Sequence, residues 1–175
     1  MDYPQGIDIS IWQNYLPAIK GLSFAFARAS VAGSLDQSYG KHRLAIRKAG
    51  LILGAYHYLV YGPGGARQAE LFLSAAGDAD ILAMDIESSA LKYPQTGRSF
   101  IYNLKKMDKK KRPILLYSSQ GTWPGDLGQD ANWVARWGSM EPTIPWKFWQ
   151  YQGVTVDRDY FNGTLSELKA FAGVK

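Results

Sequence analysis

The chain has 175 residues, 46% of them apolar and 20% charged, with a net charge of +5. That length suits one domain with a substantial core, and the absence of cysteine excludes a disulfide framework and any thiolate metal site. Lys105–Arg112, "KKMDKKKR", holds six basic residues and one acid and so equals the whole excess charge; the chain lacks the broad basic field of a nucleic-acid binder.

The first residues, "MDYPQGIDIS", show neither the basic nor the apolar region of a secretory signal. No stretch has the length of a membrane-spanning helix. Action outside the cytoplasm therefore calls for release by another route, such as phage lysis, or for a leader absent from this sequence.

Strand-like and helix-like segments then alternate. "GIDIS" (6–10) leads into a short helical stretch to Lys20. "FAFARAS" (24–30) precedes a helical pattern over 36–49, and "LILGAYHYL" (51–59) precedes another over 65–76. "DILAMDIES" (80–88) leads into 96–110, and "PILLYSS" (113–119) closes the regular section. Apolar strands separated by helices of this length imply βαβ units and a parallel sheet, either a barrel or a doubly wound fold. After Ser119 three shorter strands, 131–137, 146–152 and 157–161, follow without helices. A last helix runs to about Ala172, with Thr164 and Glu167 forming a capping-box pattern. Eight strands are enough to close a barrel, and no linker or repeat divides residues 1–175.

In such folds functional groups gather at the carboxyl ends of the strands. Asp8, Arg28, His57, the pair Asp85 and Glu87, and Tyr117 occupy those ends in strands one to five. Residues i and i+2 of a strand share a face, so Asp85 and Glu87 point the same way, roughly 6–7 Å apart. Two acids that close raise each other's proton affinity, which suits protonation of a glycosidic oxygen. Two other readings stand beside this one. The pair could be a strand-end salt bridge to Arg28, or Asp8, Asp85, Glu87 and His57 could hold a hard cation. No HxH or HExxH pattern supports a metal, and no metal or cofactor is expected.

Five of the six tryptophans lie between Trp123 and Trp149. Trp137 and Trp149 end strand-like segments and are the candidates to stack on sugar rings; Trp133 and Trp146 read as packing residues. "GPGG" (62–65) lacks the Lys-Ser/Thr of a phosphate loop and reads as a turn. Ser118 and Ser119 lack a nucleophile-elbow context. The Lys105–Arg112 patch reads as a solvated helix end on the barrel's far face, with weak contact to anionic polymers as its secondary role.

"GIDIS" followed by "WQ", "AGLILGAYHYL", "AMDIES", "PILLYSS", "WVARW", "FWQYQ" and "VDRDYF" occur in the order seen in glycoside hydrolase family 25, and from Gly6 to Phe161 the chain resembles those lysozymes (N-acetylmuramidases of the Chalaropsis type). The resemblance implies a single-domain, distorted TIM-like (β/α)5(β)3 barrel. It also implies cleavage of the β-1,4 bond between N-acetylmuramic acid and N-acetylglucosamine in peptidoglycan, by a monomer without cofactor. On its motifs Glu87 matches the general acid, Asp85 its charged partner, Asp8 the N-terminal acid and Asp157 the acid near the C-terminal end. Tyr56, His57, Tyr117, Trp137 and Gln150 fall in segments that match cleft walls. Asp159 stands where the family commonly has Asn, and the segment between Trp137 and Trp146 is compact. No wall-binding module is expected beside the catalytic domain. A non-catalytic glycan-binding barrel is the alternative reading.

Overall fold

A computed structural model describes residues 3–13 and 17–175. Among the described residues nine strands form one sheet: β1 (Gln5–Ile9), β2 (Phe24–Val31), β3 (Ser34–Leu35), β4 (Ile52–Leu59), β5 (Ile81–Ile86), β6 (Ile114–Ser119), β7 (Ala131–Ala135), β8 (Phe148–Gly153) and β9 (Asp157–Phe161). The helices are α1 (Tyr39–Lys48), α2 (Gly65–Ala76), α3 (Pro94–Met107) and α4 (Leu165–Ala172). The order β1-β9-β8-β7-β6-β5-β4-β2, with β1 also paired to β2, closes an eight-stranded barrel, and β3 is a short hairpin partner of β2. The barrel strands from β1 through β8 run parallel, while β9 is antiparallel to both neighbours. This is the α/β barrel expected from the alternation, with three helix-free strands at its end.

Element starts and stops follow local chemistry. α3 opens on Pro94 at its first turn, where a missing N–H costs nothing. It stops at Met107 because the Asp108 carboxylate takes up the backbone N–H groups of Lys110 and Arg112, earlier than the expected 110. α1 begins at Tyr39, not 36, since the Asp36 side chain accepts from Ser38 N and holds a turn. The Thr164–Glu167 capping box is present at α4. Of the helical stretch expected after the first strand, 14–16 lie outside the described residues, and its described flanks are turns and irregular chain. β6 is followed only by a single 3-10 turn, Gln120–Thr122.

Alternation along the strands builds two apolar layers. Phe24, Phe26, Ile81, Leu115, Trp133, Phe148 and Phe161 fill the barrel, while Ile7, Leu53, Phe72, Leu82, Phe100 and Leu116 pack between barrel and helices. Phe26 stacks on Trp133 with ring centres 4.4 Å apart. Gly54 faces them because a Cβ there would come within 2.0 Å of the Phe26 ring. Gly65 lets α2 approach α3, since a Cβ would meet the Thr96 carbonyl oxygen at 2.2 Å. The aromatic plug blocks the lower barrel, so polar groups inside it collect at the carboxyl-end mouth.

The basic patch sits at the opposite end and is partly engaged by the protein itself. Lys105 pairs with Asp130 at 2.5 Å and Arg112 with Asp108 at 3.0 Å. Arg112 also donates to the carbonyls of Gly77 and Ala79. Lys110 and Lys111 donate to the Gly77 and Lys105 carbonyls.

Candidate active site

Glu87 follows β5 in an extended conformation (φ −140°, ψ 176°), so the alternation carries it onto the inner face with Asp85. The chain then leaves the sheet at Ser88, whose φ is 51°. Asp8 enters the same space from β1. Asp157 and Asp159 enter from β9, in register with Asp8 and Gly6. Because β9 runs antiparallel, its first residue, not its last, reaches the mouth.

Asp8, Asp85 and Asp159 are buried, and Glu87 and Asp157 are half-buried. Among the described residues no cation offsets them at contact distance. Arg28 rises beside Asp85, yet its Nε donates to Asp36 Oδ2 at 2.8 Å. The salt bridge from Arg28 to the carboxylate pair, the alternative reading of that pair, is therefore absent among the described contacts. Burial instead drives every member of the cluster toward the protonated form. It raises Asp85 well above the usual range, with the Glu87 charge adding and Arg28 opposing. Burial and then the Asp157 charge raise Glu87. Burial and the charges of Asp159 and Asp157 raise Asp8 well above its ordinary value. Asp159 is pushed up to about 8, again chiefly by burial.

Specific donors organise this cluster. Gln150 Nε2 donates to Asp8 Oδ2 at 2.8 Å, while its Oε1 accepts from Tyr117 OH at 3.0 Å and Trp137 Nε1 at 3.1 Å. One amide thus ties an aromatic wall to an acid. Trp133 Nε1 donates to Asp159 Oδ1 at 2.7 Å. Among the described residues Asp85 Oδ1 and Asp159 Oδ2 are buried without a hydrogen-bond partner, which adds to their preference for a proton.

Tyr56 and Tyr117 lie inside the barrel beneath the acids, and burial followed by nearby carboxylate charge raises both phenols. Trp137 is 66% exposed at the rim and shares a pocket of about 360 Å³ with Glu87, Tyr117 and Gln120. His57 and Trp149, both expected at the cleft, are not there. His57 is fully buried on the helix side, stacked on Phe100 at 5.0 Å. Its Nε2 donates to Gln68 Oε1, its Nδ1 accepts from Ser30 Oγ, and burial lowers it to about 4, so it is neutral. Trp149 lies on the outer wall, 3% exposed, donating to the Arg136 carbonyl at 2.7 Å. Tyr56 and Gln150 face inward, so their chain neighbours must face outward.

The sequence reading passed over three rim aromatics. Trp12 is 81% exposed after β1, and Tyr61 and Tyr93 stack with centres 3.7 Å apart after β4 and β5. Tyr61 abuts the "GPGG" turn, and an aromatic in a Gly/Pro loop at a strand's carboxyl end was the available signal. Among the described residues, no group of three or more His, Asp or Glu is arranged to hold a metal ion.

A barrel whose mouth gathers proton-holding carboxylates beside exposed aromatic rings has the equipment of a glycosidase. Residues 7–160 match the glycosyl hydrolases family 25, and the chain belongs to that family. It is a glycoside hydrolase of the lysozyme/muramidase type. It is 32% identical to lysozyme M1 of Streptomyces globisporus over 208 residues, covering 96% of this chain and 71% of that protein. The matched span of that relative is therefore longer than this whole chain. Among solved structures, the bacterial lysozyme of Streptomyces coelicolor superposes with a TM-score of 0.81 at 27% identity, covering 98% of this chain and 97% of that one. The catalytic domain of endolysin Ply40 from Listeria monocytogenes bacteriophage P40 gives 0.85 at 24% identity, with 98% of each chain covered; that likeness bears on fold.

Proposed function

We propose that this protein cleaves the β-1,4 bond between N-acetylmuramic acid and N-acetylglucosamine in peptidoglycan, with Glu87 as general acid. The observation that carries the reading is the position of Glu87: half-buried, raised by burial and by Asp157, and open to a pocket walled by Trp137. A carboxyl so poised holds its proton at a pH where an exposed glutamate does not, and gives it up to a leaving oxygen.

Asp85 calls for a revised role. The family resemblance casts it as the charged partner, but burial favours its neutral form in the free site. The part of its carboxyl left accessible at the mouth, beyond the buried Oδ1, is suited to accept the N–H of a substrate acetamido group. That hydrogen bond would favour the carboxylate on binding and orient the acetamido oxygen toward the anomeric carbon. Asp8 and Asp157 act through the local field, and Gln150 holds Trp137 and Tyr117 against Asp8. The chain works as a single catalytic domain in bacterial wall lysis, and phage-driven release is one setting for it.

The test uses purified walls. Wild-type protein should clear them, Glu87→Gln should lose at least about a thousandfold in rate, and mass spectrometry should find muramic acid at the new reducing ends. Equal clearing by both proteins would overturn the reading. Binding by both without clearing would make the chain a glycan-binding barrel.

A further inference from the structure

We infer that the outer wall of β8 and β9 carries a second glycan site, separate from the carboxylate mouth, that takes an uncharged stretch of β-1,4-linked N-acetyl amino sugars. The choice of ligand rests on the peptidoglycan reading above. In the helix-covered part of the barrel, outward residues are buried under α1–α3. No helix follows β7 or β8, and the outward Tyr151 and the neighbouring Tyr160 of β9 are part-exposed above the buried Trp149, where an uncovered sheet face ordinarily reads polar. Here it carries rings. Trp149, Tyr151 and Tyr160 line a concavity of about 650 Å³ with Tyr3, larger than the pocket at Glu87.

The rings are fixed against one another. Tyr151 and Tyr160 stack at 4.1 Å and 14°, and Trp149 packs on both, at 5.9 and 5.6 Å. Tyr3 is held by Trp146 at 5.4 Å and donates its hydroxyl to Glu141 Oε1 at 2.9 Å. The remaining lining comes from Gly138, Ser139, Glu141 and Gln152, and no aliphatic side chain contributes. Preformed aromatic faces edged by amide, hydroxyl and carboxylate groups match the apolar faces and equatorial polar groups of a pyranose. A protein partner's apolar anchor would find few aliphatic contacts. Exposed Arg158, close enough to Tyr151 to affect its phenol, sits opposite in sign to Glu141, so the site favours neither anionic nor cationic ligands.

The two sites are joined by one short rim. Trp137 packs over Gly153, where a Cβ would come within 2.5 Å of its ring, and the next residue, Gly138, donates its N–H to the Tyr151 carbonyl at 2.9 Å. A glycan held outside is thus kept a few residues from the mouth, raising the effective concentration of neighbouring strands there.

The test is an NMR titration of the Glu87→Gln protein with tetra-N-acetylchitotetraose, which has no muramic linkage and needs no hydrolysis. The Trp149 indole and the Ser139 and Gln152 amides should shift saturably in the millimolar range, independently of the Gln120 and Gly121 amides beside the cleft. Ser139→Arg, at an exposed position, and Tyr151→Ala should each weaken the outer set at least about fivefold and leave the cleft set saturating as before. If Tyr151→Ala does not fold, Ser139→Arg carries the comparison alone. Absence of saturable shifts at Trp149, or shifts unchanged in Ser139→Arg, overturns the inference. So does a concentration-dependent dimer in sedimentation that Ser139→Arg disperses, which would assign the face to a second copy of the chain. None of these outcomes touches the wall-clearing test of Glu87.

Discussion

Replacing Asp159 with asparagine separates the burden of the carboxylate cluster from its chemistry. Asp159 is fully buried, with its acid pushed up to about 8, while in the unfolded chain an aspartate titrates near about 3.9. Between those values the folded protein holds a proton that the unfolded chain has released. Stability therefore falls as pH rises through this window, by about 1.4 kcal/mol per pH unit for one proton. The amide of the Asp159→Asn variant has the same shape as the acid. Its oxygen accepts from Trp133 Nε1 as the carboxylate does, and its nitrogen turns the unpartnered Oδ2 position into a donor toward Asp8. Asp8 and Asp157 share the cluster's proton balance, so part of the gain is taken up by them. At pH 7 the variant should be about 2–4 kcal/mol more stable than wild type, converging with it near pH 4. Urea unfolding across that range reads the difference directly. Parallel stability–pH curves for the two proteins would refute the argument that burial of this acid governs the alkaline side.

Other substitutions divide stability from activity. His57→Ala removes a buried ring stacked on Phe100 together with its hydrogen bonds to Gln68 and Ser30; a loss of about 3 kcal/mol in chemical unfolding is expected, with wall clearing per folded molecule retained. Trp137→Ala, at an exposed position, should leave the melting temperature nearly unchanged while raising KM about fivefold for want of one stacking face. Thr164→Ala breaks the α4 capping box and should cost about 1 kcal/mol in the same unfolding assay.

The strand series was legible because period-two alternation and turn residues recur at regular spacing, and the barrel followed from the count. The direction of β9 was not legible, since nothing in "DRDYF" distinguishes a strand running up from one running down. That direction brings Asp157 to the mouth, and only resemblance pointed to it in advance. The rule that joins Asp85 to Glu87 also forbids His57 beside Tyr56 and Trp149 beside Gln150, so those two misplacements were avoidable. The same parity adds Asp159 to Asp157, a fifth acid that the residue-by-residue reading left outside the site.

How a barrel interior tolerates five acids turns on Arg28. Had its guanidinium met Asp85, the acid would be held charged and low, a structural ion pair with no proton to share. Instead Asp36, whose side chain has no exposure, fixes Arg28 Nε and also accepts from Ile11 N and Ser38 N. The loops after β1 and β3 thus anchor this cation away from the pair, and Arg28 lowers Asp85 only through the field. Protons, not cations, then offset the buried charge, with Gln150 and Trp133 directing where the remaining lone pairs point. A site balanced by protons can deliver one to a glycosidic oxygen and recover it from water; a salt-bridged site would have to break an ion pair first.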